Sequence, residues 1–177
     1  PRFIAPPVWN DAKLVEKGYI VLTLHRPANV DQEQQLKLLM QENITNSNGV
    51  PIIFPVHPRT AKNMQGLGIE ASNLYFIEPL SYLEFNYLVE RAKLVVTDSG
   101  GITEETTVMG VPCITLRNNT ERPETISIGT NELIGTDPKA IRPPFQKLLD
   151  GTWKKGGIPP LWDGLTADRI VNSLLEI

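Results

Sequence analysis

Short apolar segments alternate with helical patterns along most of this 177-residue chain. Several of these segments are apolar throughout rather than alternating in polarity, which is typical of strands buried on both faces. Alternation of strand and helix repeated five or six times predicts a Rossmann-like α/β fold, in which a parallel sheet has helices on both faces. The predicted strands are residues 19–24, 50–56, 74–77, 94–97, 111–116 and a weaker segment at 132–134.

Polar residues and prolines indicate where the helices begin. Ser81 and Glu84 have the spacing of a capping box, and Asp137 places a cap before a first-turn proline. The Pro143-Pro144 pair is expected to break the helix that follows Asp137. Two helices are expected to turn an apolar face inward, the first with Leu36, Leu39, Met40 and Asn43, and the last, beginning near Thr166, with Ile170, Val171, Leu174 and Leu175.

Composition excludes several classes of partner and site. The 17 Lys+Arg and 20 Asp+Glu residues give a formal charge of −3 without a basic cluster, so neither nucleic acid nor a membrane surface is an expected partner. The apolar runs fall well short of the roughly 18 residues that span a bilayer, and no signal peptide opens the chain, so a cytoplasmic location is expected. The single cysteine, Cys113, excludes an internal disulfide and a cysteine-based zinc site, and it is expected to be buried.

The chain divides into three predicted parts. Residues 1–17 form a leading segment, residues 18–165 form the Rossmann-like domain, and residues 166–177 form a C-terminal helix. Within the domain, residues 153–162 are expected to be an ordered loop. Residues 1–8 contain three prolines and no helical pattern, and a domain that begins in a loop suggests that it is part of something larger.

The strongest candidate for chemistry follows the predicted strand 94–97, because ligands bind beyond the carboxyl ends of strands in this fold. Asp98-Ser99-Gly100-Gly101 leads there into a helix. Glycines allow the backbone to approach a ligand closely, and the first helical amides carry partial positive charge, so the segment is suited to a phosphate. Of Glu104 and Glu105, one can cap the helix while the other accepts hydrogen bonds from a vicinal diol such as a ribose. The alternative is a tight turn with glutamates that complement the helix dipole.

Both histidines of the chain stand beside an arginine just after a predicted strand. His25 precedes Arg26, and His57 lies two residues before Arg59. Such pairs suit donation to a phosphate or transfer of a proton. The alternative for each is a structural histidine bonded to a backbone carbonyl.

Two further strand ends suit a nucleotide. Arg122 lies in a charged segment where it can bind a phosphate, or else pair with neighbouring glutamates in a solvated loop. Phe85, in the first turn of a helix, can stack on a base or belong to the core. Together the strand ends predict a phosphorylated, base-bearing small molecule as the ligand. No clustered set of histidines and carboxylates suggests a metal.

These motifs resemble the UDP-N-acetylglucosamine 2-epimerase family. The Asp-Ser-Gly-Gly segment at 98–101 and the Thr-Glu-Arg-Pro-Glu segment at 120–124, in this order and spacing, are its most specific marks. Further matches lie at residues 23–29, 55–60, 78–80, 102–105 and 129–131.

The resemblance implies that the chain is the C-terminal, nucleotide-binding half of a two-domain fold of the GT-B type. Ser99, Gly100 and Gly101 would then hold the diphosphate of UDP, and Glu105 the ribose hydroxyls. Arg122 would reach the phosphate or the sugar, and His25 would line the catalytic cleft. The remaining implied positions are Phe85 and the backbone near Leu80, around the uracil, and Arg26 and His57, which match positions that in some members help to hold a second, activating UDP-GlcNAc.

The activity implied is non-hydrolysing interconversion of UDP-GlcNAc and UDP-ManNAc, an isomerisation, without a cofactor or a metal. The N-terminal Rossmann-like domain that would supply the groups for the C2 proton is missing, so this chain alone is expected to be inactive. A homodimer is expected of the complete protein. The alternatives are a hydrolysing 2-epimerase, a GT-B glycosyltransferase and a non-enzymatic module that binds UDP-sugars.

Overall fold

A parallel sheet forms the centre of the molecule, as the sequence predicts. The structure is a computed structural model and describes residues 3–56, 60–61, 64 and 66–175. Within these residues the sheet has six strands in the order β3-β2-β1-β4-β5-β6, all parallel to their neighbours. The strands are β1 Ile20–Thr23, β2 Ile52–Pro55, β3 Leu74–Ile77, β4 Leu94–Thr97, β5 Cys113–Thr115 and β6 Asn131–Leu133.

Helices cover both faces of the sheet. They are α1 Pro7–Asp11, α2 Pro27–Val30, α3 Glu33–Asn46, α4 Tyr82–Arg91, α5 Gly100–Met109, α6 Glu124–Ser127, α7 Arg142–Leu149 and α8 Thr166–Leu175, with a 3-10 turn at Pro138–Ile141. Ile20 and Leu22 of β1 belong to a core cluster with α3 and α7, whereas Val21 between them belongs to a second cluster with α1 and α4. Because successive side chains of a strand point to opposite faces, this division shows a core on each side. None of the helices in the described ranges is long and apolar enough to cross a bilayer.

The strand order switches between β1 and β4, because β2 and β3 lie on one side of β1 and β4, β5 and β6 lie on the other. The two strands are in register, with Thr23 opposite Thr97, and the hydroxyl oxygens of these threonines are 2.7 Å apart. A crevice opens at such a switch point, outside the carboxyl ends of the two strands. The segments that follow Thr23 and Thr97 therefore leave the sheet side by side.

Several local predictions are confirmed. The predicted inner face of α3 is buried, and so is Cys113. Burial raises the pKa of the Cys113 thiol to about 12, so the thiol is a protonated core group. Ser81 and Glu84 form the capping box of α4, and Asp137 accepts a hydrogen bond from the Lys139 amide at 3.0 Å.

The expectation that Pro143-Pro144 breaks a helix is wrong. The 3-10 turn ends at Ile141, and the two prolines lie in the first turn of α7, which continues to Leu149. A proline in the first turn removes an amide that has no helical partner in any case, so the pair starts a helix rather than ending one. The loop character expected of residues 1–8 is also too broad, because α1 begins at Pro7 and buries Val8.

The expectation that α8 turns an apolar face into the core is also wrong. No residue of α8 is buried. An amphipathic pattern shows that one face of a helix is apolar, but it does not identify the surface that covers this face. Four residues expected inside are exposed, namely Ile170 at 56%, Val171 at 53%, Leu174 at 65% and Leu175 at 79%.

Candidate functional site

A buried carboxylate lies at the switch point and connects β1 to β4. Asp98 directly follows β4, and its side chain is fully buried. It accepts hydrogen bonds from the backbone amides of His25, at 3.1 Å, and Arg26, at 2.9 Å. The side-chain amide of Asn29 donates to it at 3.1 Å, and Nδ1 of His25 lies 2.8 Å from Oδ1. Asp98 thus fixes the segment that leaves β1 against the segment that leaves β4.

These contacts set the charge states of Asp98 and His25. Burial alone would raise the pKa of Asp98, but the hydrogen bonds from His25, Asn29 and Arg26 outweigh burial and hold the pKa below its ordinary value. The hydrogen bond to Asp98 raises the pKa of His25, although partial burial and the positive charges of Arg26 and Arg117 oppose the rise. The geometry therefore favours a carboxylate beside an imidazolium, whose side chain remains 50% exposed.

The glycines that follow Asp98 open helix α5 at the same place. Ser99 is the N-cap residue with an extended backbone, and its amide donates to Oγ1 of Thr97 at 3.0 Å. A Cβ added at Gly101 would have no atom of the described residues within 4 Å, so one side of this backbone is open. At Gly100 an added Cβ would lie 3.2 Å from Nη1 of Arg117. Gly101 is thus the point where another molecule has room to approach the helix amides.

Arg117 is a buried cation beside this helix start, and it is not among the residues predicted from the sequence. It follows the end of β5, and its side chain is only 7% exposed. Its two terminal nitrogens bind the Glu121 carboxylate at 3.0 and 2.7 Å, and Nη2 lies 3.3 Å from Oδ1 of Asn119. The hydrogen bond from Arg117 lowers the pKa of Glu121 to about 2. Its place directly after the predicted strand 111–116 is the signal that identifies it as a strand-end residue.

A second group of polar residues lines a cavity of about 570 Å³ beside α5. Nε of Arg122 donates to Oε1 of Glu104 at 2.5 Å, and both side chains are about half exposed. The negative charge of Glu105 and a hydrogen bond to its side chain raise the pKa of Tyr82. The expectation that one of the two glutamates caps the helix is wrong, because the helix begins at Gly100 and its first turn holds no acidic residue. Glu104 pairs with Arg122 instead, whereas Glu105 shares the cavity with the exposed hydroxyl of Tyr82.

The residues predicted to frame a base lie on the side of α4. Phe85 and Leu80 are partly buried and pack against the core cluster that α1 and α4 share. Leu80 also lines a separate groove of about 440 Å³ with Tyr75 and Phe76. The packing of Phe85 fits its interpretation as a core residue, and its role against a base stays a prediction.

The two candidates for an activator site have different outcomes. Arg26 is exposed, its Nε donates to the backbone oxygen of Asp98 at 3.2 Å, and it lines a small cleft with Asn29 and Arg117. His57 lies outside the described residues. The structure thus brings His25, Arg26 and the start of α5 together, with Glu105 and Arg122 in the neighbouring cavity.

Comparison with known proteins shows the family to which the chain is similar. A model of the UDP-N-acetylglucosamine 2-epimerase family matches residues 5–175. A UDP-N-acetylglucosamine 2-epimerase of Methanococcus maripaludis is 42% identical over 163 residues, which are 87% of this chain and 43% of the relative. The chain spans about half the length of the curated relatives it matches.

Solved structures agree with the sequence comparisons. A crystal structure of the Methanocaldococcus jannaschii UDP-GlcNAc 2-epimerase in complex with UDP-GlcNAc and UDP superposes with a TM-score of 0.78 at 37% identity, covering 90% of this chain and 45% of that one. The Neisseria meningitidis UDP-GlcNAc 2-epimerase bound to UDP-GlcNAc superposes with a TM-score of 0.77 at 32% identity, covering 91% of this chain and 45% of that one. The family model covers nearly the whole chain, and the fold agrees with it. This chain belongs to the UDP-N-acetylglucosamine 2-epimerase family.

Proposed function

We propose that this chain is the UDP-binding half of a non-hydrolysing UDP-GlcNAc 2-epimerase. The observation that carries the proposal is the start of α5 at the switch point, where the backbone at Gly101 is open and His25 contacts Asp98, just before the helix begins. A helix start is suited to a diphosphate, because its free amides point outward and its dipole favours negative charge. Relatives of similar sequence are named UDP-N-acetylglucosamine 2-epimerases and are matched over about half their length.

In this proposal each part of the site has one task toward UDP. The segment 99–101 holds the diphosphate, and Glu105 accepts hydrogen bonds from the ribose hydroxyls. Arg122 reaches the phosphate or the sugar after exchanging its partner Glu104 for the ligand. Phe85 and the backbone near Leu80 frame the uracil, and Arg26 and His57 are the positions for a second, activating UDP-GlcNAc.

The chemical problem is that the C2 proton of the sugar is not acidic in the ground state. Breaking the bond from C1 to the UDP oxygen makes C1 cationic, which acidifies the C2 proton. A base then removes that proton, and 2-acetamidoglucal and UDP are formed. Return of a proton to the opposite face of C2, with addition of UDP at C1, completes the epimerisation. The amides of α5 would stabilise the negative charge that develops on departing UDP.

The proton chemistry at C2 is assigned to a second Rossmann-like domain that faces this one across the cleft, in a homodimeric complete protein. Two observations support a covering partner. The relatives are about twice as long as the matched region. The apolar face of α8 is exposed within the described residues, and large exposed apolar faces mark interaction sites.

The products formed from UDP-GlcNAc separate the remaining candidates. A non-hydrolysing epimerase forms UDP-ManNAc without an acceptor, whereas a hydrolysing enzyme releases ManNAc and UDP. A glycosyltransferase of the GT-B type needs an acceptor, and a binding module gives no product. Chromatography of the complete protein's reaction, with and without an acceptor, therefore tests the proposal, and appearance of free ManNAc would contradict it.

The Glu105→Gln variant is expected to weaken binding of UDP more than binding of 2′,3′-dideoxy-UDP, because the proposed partner of Glu105 is the ribose diol. A hydrogen bond to a charged group contributes about 1.5–3 kcal/mol, so a loss of about tenfold or more is expected for UDP. Titration calorimetry with both nucleotides measures the difference.

Glu104→Gln is the matched control, since Glu104 is already bonded to Arg122. It should be the milder variant. If Glu105→Gln weakens both nucleotides equally, Glu105 supports the helix rather than the ribose.

A further inference from the structure

The contact between Asp98 and His25 does more than join two strand ends. We propose that Asp98 is a positioning residue that holds the His25 ring with Nδ1–H donated to its carboxylate, so that Nε2, on the far side of the ring, faces the anion held at the start of α5. The proton on Nδ1 follows from the contact with Asp98 alone. Its task toward a diphosphate rests on the proposed function.

The carboxylate of Asp98 has no freedom to turn away from this arrangement. Oδ2 accepts from the Arg26 amide at 2.9 Å and from Nδ2 of Asn29 at 3.1 Å, while Oδ1 lies 2.8 Å from Nδ1 of His25. The His25 amide is within 3.2 Å of both oxygens. The two backbone amides and Nδ2 of Asn29 can only donate, so the Asp98 carboxylate is the acceptor throughout, and Nδ1 must carry a proton in this contact.

Fixing the proton on Nδ1 determines what Nε2 can do. In the neutral ring Nε2 has only a lone pair and repels a phosphate oxygen. In the protonated ring Nε2 is a charged donor, and hydrogen bonds of that kind are the stronger ones. His25 therefore binds an anion only as the imidazolium, and Asp98 stabilises that form.

The charged groups around the ring come from three strand ends. Asp98, after β4, favours the imidazolium, whereas Arg26, after β1, and Arg117, after β5, oppose it. Arg117 is itself paired with Glu121, which reduces its effect. The balance raises the pKa of His25 above its ordinary value, in agreement with the geometry.

Nitrogen-15 NMR of the full chain tests the position of the ring directly. Long-range proton–nitrogen spectra report which ring nitrogen carries the proton, and the His57→Gln variant leaves His25 as the only histidine. At a pH where the ring is neutral, we expect protonated Nδ1 and unprotonated Nε2. A neutral ring protonated mainly on Nε2 would overturn the proposal, and this reading needs no change at Asp98.

The Asp98→Asn variant tests whether the carboxylate is responsible. It removes the negative charge at nearly constant shape, so the pKa of His25 should fall. Asp150→Asn is the control, because Asp150 is exposed and accepts a hydrogen bond from Gln146, and it should leave the pKa of His25 unchanged. A folded Asp98→Asn chain in which His25 titrates as in the wild type would overturn the proposal. If this variant does not fold, the tautomer of His25 in the chain with an intact Asp98 tests the proposal instead.

The ratio of UDP affinities between wild type and His25→Gln tests the task of Nε2. The protonation of UDP itself affects both affinities equally, so its effect cancels in this ratio. Below the pKa of His25 the wild type should bind about three- to tenfold more tightly, as expected for a partly exposed charged hydrogen bond, and above it the ratio should fall to about one. A ratio that does not change with pH would overturn this task. Failure of both proteins to bind UDP would instead contradict the proposed function, and would leave the tautomer result standing.

Discussion

The Gly101→Val variant is expected to lose measurable UDP binding while its stability to unfolding is retained. The reason is that the proposed diphosphate seat requires backbone approach at Gly101, where an added Cβ meets no described protein atom within 4 Å. Valine is no worse a helix residue than glycine, so the first turn of α5 should form as before. Titration calorimetry measures UDP binding, and circular dichroism measures the unfolding midpoint.

A graded series makes this expectation sharper. Gly101→Ala should weaken UDP binding and Gly101→Val should abolish it. Gly157→Ala is the matched control, because its Cβ would make only an ordinary contact with Ile128 at 3.9 Å. Gly100→Ala is less informative, since its Cβ would press on Arg117 at 3.2 Å. If Gly101→Val binds UDP as the wild type does, the diphosphate does not sit on α5.

The Asp98→Ala variant is expected to lower the free energy of unfolding by about 3 kcal/mol or more. The change leaves one buried N–H of the Asn29 side chain and the part-buried amides of His25 and Arg26 without their acceptor. A fully buried unsatisfied donor costs about 1–3 kcal/mol, and a part-buried one costs less. Urea unfolding followed by circular dichroism measures the loss. Asp163→Ala removes an exposed carboxylate paired with Arg169 and should change the unfolding midpoint little.

The Asp98–His25 pair predicts how the folding stability of the chain changes with pH. The pKa of Asp98 is lowered in the folded chain. The contribution of its carboxylate to folding stability is therefore complete above the ordinary pKa of 3.8 and is lost as the pH falls through the pKa of the folded state. The pKa of His25 is raised in the folded chain, so the contribution of its imidazolium to folding stability is complete below the ordinary pKa of 6.5. It is lost as the pH rises through the pKa of the folded state. The difference in stability between wild type and Asp98→Ala should thus narrow in strong acid. A difference that does not change with pH would contradict the ionised pair.

The sheet could be predicted from the sequence because its signal is local. Strands buried on both faces are mostly apolar, as residues 94–96 are, and the helices between them bear caps such as Ser81. The ends of the strands then identify the ligand edge without knowledge of the strand order. The candidate phosphate site at the glycines after Asp98 could be predicted for the same reason, because these glycines follow the end of a predicted strand.

The rest depends on contacts between distant parts of the chain. Asp98 and His25 are 73 residues apart, and only the pairing of β1 with β4 brings them together. The face of α8 was assigned to the core because Ile170 and Leu174 have helical spacing, yet spacing does not reveal whether the covering surface is present in the same segment. The position of Arg117 after a predicted strand marks it as a strand-end residue, but its burial and its pairing with Glu121 are visible only in the structure.

A UDP titration of the nitrogen-15-labelled chain tests whether the start of α5 binds the diphosphate. We expect weak, saturable binding without added metal, with a dissociation constant in the roughly millimolar range, about −4 kcal/mol. The largest shifts should be at the amides of Ser99, Gly100 and Gly101, with smaller ones at His25 and Glu105. These 177 residues alone should not exchange solvent deuterium into C2 of UDP-GlcNAc, because in the proposed function a second, facing domain excludes water and positions the sugar. Saturable shifts centred elsewhere, or a folded chain that shows none, would contradict a diphosphate site at the start of α5.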